Sequence, residues 1–220
     1  MNRMELACLL DHSTLRPDTA EKDILAQAEI VRVWGIGFFC VQPSYVALAV
    51  AALRPSAARV VSVIGFPHGC DRSAVKAHAA ELAVRDGAAE VDMVMNIGRL
   101  RSGRSQAVAD EIAQVVRAIP GIPVKVILET CFLTDNEKIV ACRLVRDSGA
   151  AFVKTSTGVK PAGGATVADI RLLRTTVGPD FGVKASGGIR TLADALSLLE
   201  AGANRLGTSA SPAILAALPS

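Results

Sequence analysis

The chain has 220 residues, 50% of them hydrophobic and 20% charged, with a formal net charge of +3. That length suits one domain or one compact barrel, and the apolar content is enough for a core without disulfide or metal staples. The charge lacks long Lys/Arg blocks and interleaved aromatics, which argues against nucleic acid as a partner, and no segment approaches the roughly 18 uninterrupted apolar residues of a membrane span.

From the N-terminus, Glu5 and then Asp11 interrupt any signal-peptide core, so a cytoplasmic protein is expected. Short β-branched runs then alternate with Ala-rich segments of helical period. The pattern predicts strands at 6–10, 38–41, 60–64, 90–94, 124–129, 152–155, 182–185 and 205–207. Helices are predicted between them at 19–34, 44–53, 73–85, 106–118, 135–147, 166–176 and 192–200. Gly35, Gly87, Gly149 and Gly202 supply helix stops, three of them in near-identical phrases such as Ser148-Gly149-Ala150-Ala151. Eight βα units in this length favour the α/β class and a single (β/α)8 TIM barrel over residues 1–220. No dinucleotide fingerprint follows the first strand.

Cys8, Cys40, Cys70, Cys131 and Cys142 are scattered, odd in number and without a CxxC pair. Reduced thiols are expected, with neither a disulfide framework nor a metal site.

Inward positions of a small barrel are ordinarily bulky and apolar, so a charge in or just after a strand marks the catalytic mouth or suffers desolvation. Five strands carry such groups: Asp11 with His12, then Asp92, then Lys125 with Glu129, then Lys154, then Lys184. One of these alone would read more readily as a buried ion pair fixing register. Three lysines at similar depth on neighbouring strands point jointly to an active site, because like charges repel and their burial is costly.

Lys154 and Lys184 stand two residues beyond Phe152 and Gly182 on adjacent strands, so matched registers would aim both into the barrel. An ordinary lysine titrates at about 10.4, and freeing its amine at neutral pH costs about 4–5 kcal/mol. A second ammonium nearby removes part of that cost and activates the amine for Schiff-base formation with a carbonyl. A carboxylate is then wanted for the proton transfers, with Asp92 the candidate and Lys125 its partner.

After the last two strands, Ala185-Ser186-Gly187-Gly188-Ile189 and Gly207-Thr208-Ser209 fall where barrels often bind phosphate, with a short helix expected over 211–217. His12 reads as a brace for Asp11 through a hydrogen bond ahead of a role in acid-base catalysis. Cys40 either lines the site or packs as a small hydrophobe. His68 and His78 lack metal-ligand spacing, and Trp34 reads as helix-sheet packing.

Phe152-Val153-Lys154-Thr155-Ser156-Thr157-Gly158 resembles the Schiff-base strand of the deoxyribose-phosphate aldolases, and Val183-Lys184-Ala185-Ser186-Gly187-Gly188-Ile189 their second lysine motif. The likeness extends through Asp11-His12-Ser13-Thr14, through 63–69 and 90–98, and through Lys125-Val126-Ile127-Leu128-Glu129-Thr130 in the same order. It implies reversible cleavage of 2-deoxy-D-ribose 5-phosphate to D-glyceraldehyde 3-phosphate and acetaldehyde, without a cofactor, by a homo-oligomer. By resemblance Lys154 forms the imine, Lys184 lowers its pKa and Asp92 transfers protons. Substrate binding falls to Asp11, Cys40, Lys125, Thr155 and Gly158, with Gly187, Gly188 and Ser209 in the phosphate loops.

Two features depart from the family pattern: the loop over 159–164, and an end at Leu218-Pro219-Ser220 without the terminal tyrosine some members carry. Tyr45, the only tyrosine, is not expected to replace it. Two other readings remain open: a barrel Schiff-base aldolase with a different donor, and a phosphometabolite-binding barrel without catalysis. The joint presence of Lys154, Lys184 and Asp92 argues against the second.

Overall fold

The computed structural model describes residues 1–159 and 163–218. Its strands are β1 Leu10–Thr14, β2 Phe38–Val41, β3 Arg59–Ile64, β4 Glu90–Val94, β5 Val124–Ile127, β6 Phe152–Lys154, β7 Gly182–Ser186 and β8 Arg205–Thr208. They pair in parallel and in sequence order, and β8 returns to β1, closing a barrel. Around it run α1 Arg3–Cys8, α2 Glu21–Val33, α3 Val46–Ala52, α4 Ser73–Arg85, α5 Ile97–Arg101, α6 Ser105–Ala118, α7 Asp135–Asp147, α8 Val167–Val177, α9 Leu192–Glu200 and α10 Ser211–Ala216. Among the described residues no helix is long and apolar enough to cross a membrane.

Alternation along each strand separates two environments. Phe39, Val41, Val91, Met93, Val126, Val153, Val183 and Leu206 point outward and merge with Ile112, Val115, Val145, Ile170, Leu173 and Leu198 of the helices in one core. Each such side chain contributes about 1.5–3 kcal/mol by leaving water. Phe38, Cys40, Val61 and Val63 face the other way and fill only the β2–β3 side of the lumen. On the opposite side the lumen holds Asp11, Glu90, Asp92, Lys125, Lys154, Lys184 and Arg205 around the Phe152 ring, a density of buried charge contrary to the ordinary apolar filling of a small barrel.

Local signals set the helix starts. Thr134 and Glu137 form a capping box on α7, and Thr191 and Asp194 one on α9. The same device overturns the predicted first strand. Asn2 and Glu5 cap α1, which carries Leu6 and Ala7 into the core by helical period, so β1 begins only at Leu10. The short α5, capped by Asn96, was not expected either.

Candidate active site

Strand register delivers the reactive groups. Lys154 and Lys184 are Cα partners across β6 and β7, and Asp92 and Lys125 are partners across β4 and β5. Asp92 is fully buried. Its Oδ2 accepts from Lys154 Nζ at 2.7 Å and from Lys184 Nζ at 2.8 Å, while Oδ1 accepts from Lys125 Nζ at 2.8 Å. Two ammonium groups that should repel are thus drawn to one oxygen. Lys184 also donates to Asp11.

Their environments push the two lysines apart. Burial lowers the Lys154 pKa, Asp92 opposes that, and the Lys184 charge adds to it, for a net fall below the ordinary lysine value. Burial also acts downward on Lys184, but Asp11 and Asp92 outweigh it and the net direction is up. Asp92 lies well below the usual carboxylate range: burial acts upward, and Lys125, Lys154 and Lys184 together overcome it. Neighbouring groups with opposed shifts are the arrangement a nucleophile and a fixed charge require.

Above them opens a cavity of about 850 Å³, lined by Asp11, Cys40, Lys154, Lys184, Gly158, Gly187, Gly188 and Ser209 among the expected residues. Lys125 and Thr155 do not line it. Lys125 lies beneath, bonded to Asp92 and Glu90, and Thr155 Oγ1 instead joins the strand ends, donating to Ser186 O at 3.1 Å and accepting from its N–H at 3.0 Å. Both are held by partners inside the barrel rather than set on the cavity wall. Cys40 does both things proposed for it, packing on Phe38 and Val61 while facing the cavity. Burial, with the Asp92 charge, pushes its thiol up to about 11, so it stays protonated at neutral pH.

Glycine is demanded at two points. At Gly187, with φ at +89°, a Cβ would come within 3.0 Å of Gly164 Cα and 3.2 Å of Gly158 Cα, so two loops close on each other only without side chains. Gly188, with φ at +79°, has nothing within 4 Å of a Cβ position and leaves its backbone open. Arg16 and Arg190 stand on the rim. In the loop that departs from the family pattern, Lys160, Pro161 and Ala162 lie outside the described residues, as do Pro219 and Ser220.

His12 does not brace Asp11. Adjacent strand residues face opposite sides, and the ring lies outside the barrel, with Nε2 donating to Gln27 Oε1 at 2.7 Å and Nδ1 accepting from Ser211 Oγ at 3.0 Å. It ties β1 to α2 and to the start of α10. His68 and His78 are exposed, Trp34 packs against the core, and the Tyr45 hydroxyl donates to Thr19 O at 2.7 Å.

Glu129 is the one described non-glycine residue with positive φ, at 53°. Its buried carboxylate accepts from the Thr157 hydroxyl at 2.5 Å and backbone N–H at 3.2 Å, anchoring a residue that lines the cavity. Glu129 was among the strand charges expected from the sequence, whereas Glu90, Arg205 and Thr157 were given no role there. Glu90 had a usable signal, since it shares the face of Asp92 two residues on.

A closed parallel barrel with two buried lysines on one aspartate beneath such a cavity is the architecture of the barrel aldolases, which are carbon–carbon lyases. The profile of the DeoC/LacD family aldolases matches residues 6–216, and the chain belongs to that family. The deoxyribose-phosphate aldolase of Streptococcus sanguinis strain SK36 is 50% identical over 212 residues, covering 96% of each chain. That of Caldanaerobacter subterraneus subsp. tengcongensis is 48% identical over 210 residues, 94% of this chain and 90% of the other. Among solved structures, the tetrameric deoxyribose phosphate aldolase of Aeropyrum pernix superposes with a TM-score of 0.89 at 31% identity, covering 98% of this chain and 91% of that one.

Proposed function

We propose that the chain reversibly cleaves 2-deoxy-D-ribose 5-phosphate to D-glyceraldehyde 3-phosphate and acetaldehyde through an imine on Lys154. The observation that carries this reading is the Lys154–Lys184 pair sharing Asp92 Oδ2, with opposed pKa directions, at the floor of the cavity. Neutral Lys154 Nζ attacks the C1 aldehyde of the open-chain sugar. Loss of water from the carbinolamine leaves a protonated imine. The C3 hydroxyl gives up its proton, the C2–C3 bond breaks into the imine, and glyceraldehyde 3-phosphate leaves. Protonation of the enamine at C2 and hydrolysis release acetaldehyde and restore the amine. Asp92, bonded to both lysines, is the group through which protons pass at the carbinolamine.

Trapping with acetaldehyde and borohydride, followed by peptide mass mapping, tests the covalent step. A reduced adduct on Lys154 supports it, and an unmodified Lys154 in folded protein favours a binding module. Acetaldehyde should be the one good donor toward glyceraldehyde 3-phosphate. Preference for dihydroxyacetone or pyruvate would point to an aldolase of different specificity.

The Gly187-Gly188 and Gly207–Ser209 loops are assigned to the phosphate, so unphosphorylated deoxyribose should react poorly. Gly188→Ala, free of any atom within 4 Å but strained at a φ of +79°, should disturb this turn and reduce the efficiency ratio of phosphorylated to unphosphorylated sugar about tenfold, near 1.4 kcal/mol. An unchanged ratio in protein of normal melting temperature removes Gly188 from the phosphate site. Because the protonated imine serves as electron sink, dialysis against a chelator should leave turnover intact. Loss of activity restored by zinc would overturn the mechanism. The same reading places the enzyme in the cytoplasm as a homo-oligomer, in line with the tetramer of the Aeropyrum pernix protein. Light scattering on the eluted protein checks its size.

A further inference from the structure

The charges inside the barrel form a closed circuit. Asp11 accepts from Lys184, and Lys184 donates to Asp92 at 2.8 Å. Asp92 accepts from Lys125 at 2.8 Å, Lys125 reaches Glu90 at 2.6 Å, Glu90 meets Arg205 at 3.1 Å, and Arg205 returns to Asp11 at 2.9 Å. Three carboxylates alternate with three cations, so the ring is neutral by itself. Lys154 hangs outside it on Asp92 Oδ2 at 2.7 Å, a seventh charge with no anion of its own.

The neighbouring strands β2 and β3 supply no compensating charge, and the carboxylates nearest the cavity outside the ring are already engaged, Glu129 by Thr157, Asp18 by Arg16 and Asp23 by the Ala20 N–H. β2 contributes Phe38 and Cys40, β3 contributes Val61 and Val63, and the Cys40 thiol is protonated. Arg59, at the start of β3, stacks on the Phe38 ring at 4.7 Å but is exposed to solvent. Glu90 and Arg205 are 3% and 8% exposed and do not line the cavity, so neither is placed to touch a substrate. Arg205 is packed as well as paired, its guanidinium 3.5 Å from the Phe38 ring centroid. Scaffold service alone would not need a charge pair here, since apolar residues of similar volume often fill such a place at no loss of stability.

We propose that Glu90 and Arg205 are positioning residues that set the protonation of Lys154 from beneath the substrate, acting through the ring. The inference rests on Lys154 being the imine-forming amine. Its logic is charge counting in a medium where each unit is poorly screened. Neutralising Glu90 leaves the ring one positive charge in excess and frees Lys125 to lean on Asp92, so Lys154 sheds its proton more readily. Neutralising Arg205 leaves one carboxylate in excess and turns Lys184 toward Asp11, so Lys154 holds its proton longer.

The test compares wild type, Glu90→Gln, Arg205→Met and Arg205→Lys by two readouts: the acidic limb of kcat/KM against pH, and the pH dependence of borohydride trapping of acetaldehyde on Lys154. Glu90→Gln should move both midpoints down by about one pH unit and Arg205→Met should move them up by about one, a tenfold change in neutral amine each way. Arg205→Lys, which keeps the charge, should stay close to wild type. Limbs that stay in place while plateaus fall, or that shift in the same direction for both neutralising variants, overturn the proposal and leave a scaffold role. If circular dichroism shows Arg205→Met unfolded, Glu90→Gln decides alone, and a limb unmoved or raised counts against the proposal. A wild-type enzyme that traps no acetaldehyde on Lys154 would sink the underlying reading instead, so the two failures are distinguishable.

Discussion

Lys154→Arg should fold, keep its melting temperature within a few degrees and lose turnover by at least about 10⁴-fold, the scale on which removal of a covalent nucleophile is felt. The guanidinium preserves the positive charge that Asp92 Oδ2 receives at 2.7 Å, so the ionic interior is not broken. It cannot deprotonate near neutral pH, so no carbinolamine forms. Burial is not an obstacle in itself, because Lys154 opens onto the cavity and the longer head can advance into it. The assay is retro-aldol turnover coupled to reduction of the released aldehyde, with borohydride labelling run in parallel. Label should vanish along with turnover. Retained turnover with no label would remove Lys154 from the chemistry, and retained turnover with label elsewhere would move the imine to another amine.

Much of this site was legible before any coordinates, for a physical reason: a lysine inside an apolar strand is an expensive anomaly, and anomalies show in a single strand's pattern. β2 and β4 fall at their predicted bounds, as do α4, α7 and α9, the last two opened by Thr134–Glu137 and Thr191–Asp194 capping boxes. What the pattern could not resolve was depth. Strands of a parallel barrel are buried on both faces, so alternation does not announce which side is inward. Lys125 and Thr155 sit in conspicuous motifs, yet one lies below the cavity and the other knits β6 to β7. Arg205 was passed over because its meaning depends on closure: β8 must return to β1 before it can meet Asp11. The first strand failed differently. The apolar stretch from Leu6 to Leu10 satisfies either period over so few residues, and the Asn2–Glu5 capping box decided for a helix.

Lys184→Met provides the sharpest check on the electrostatics. The variant keeps an unbranched side chain of similar reach while deleting one of four cations arrayed around three carboxylates, so Lys154 changes from surplus charge to required partner. Its ammonium is then stabilised. The acidic limb of kcat/KM, which reports the free enzyme's essential amine, should move up by about one to two pH units. At pH 7 the neutral fraction, and with it activity, should fall about ten- to a hundredfold, and part should return in alkaline buffer as Lys154 deprotonates. Stability should drop too, because Asp11 and Asp92 each lose a buried partner, typically about 3–5 kcal/mol for a broken buried pair. The profile therefore has to be recorded below the variant's own melting transition. Lys184→Arg serves as the control, since it retains the charge and should hold the limb near its wild-type position even if the plateau suffers from altered shape. An acidic limb that stays in place in Lys184→Met while only the plateau drops would mean that Lys184 touches substrate or orients Asp92, and that the charge coupling argued here is wrong.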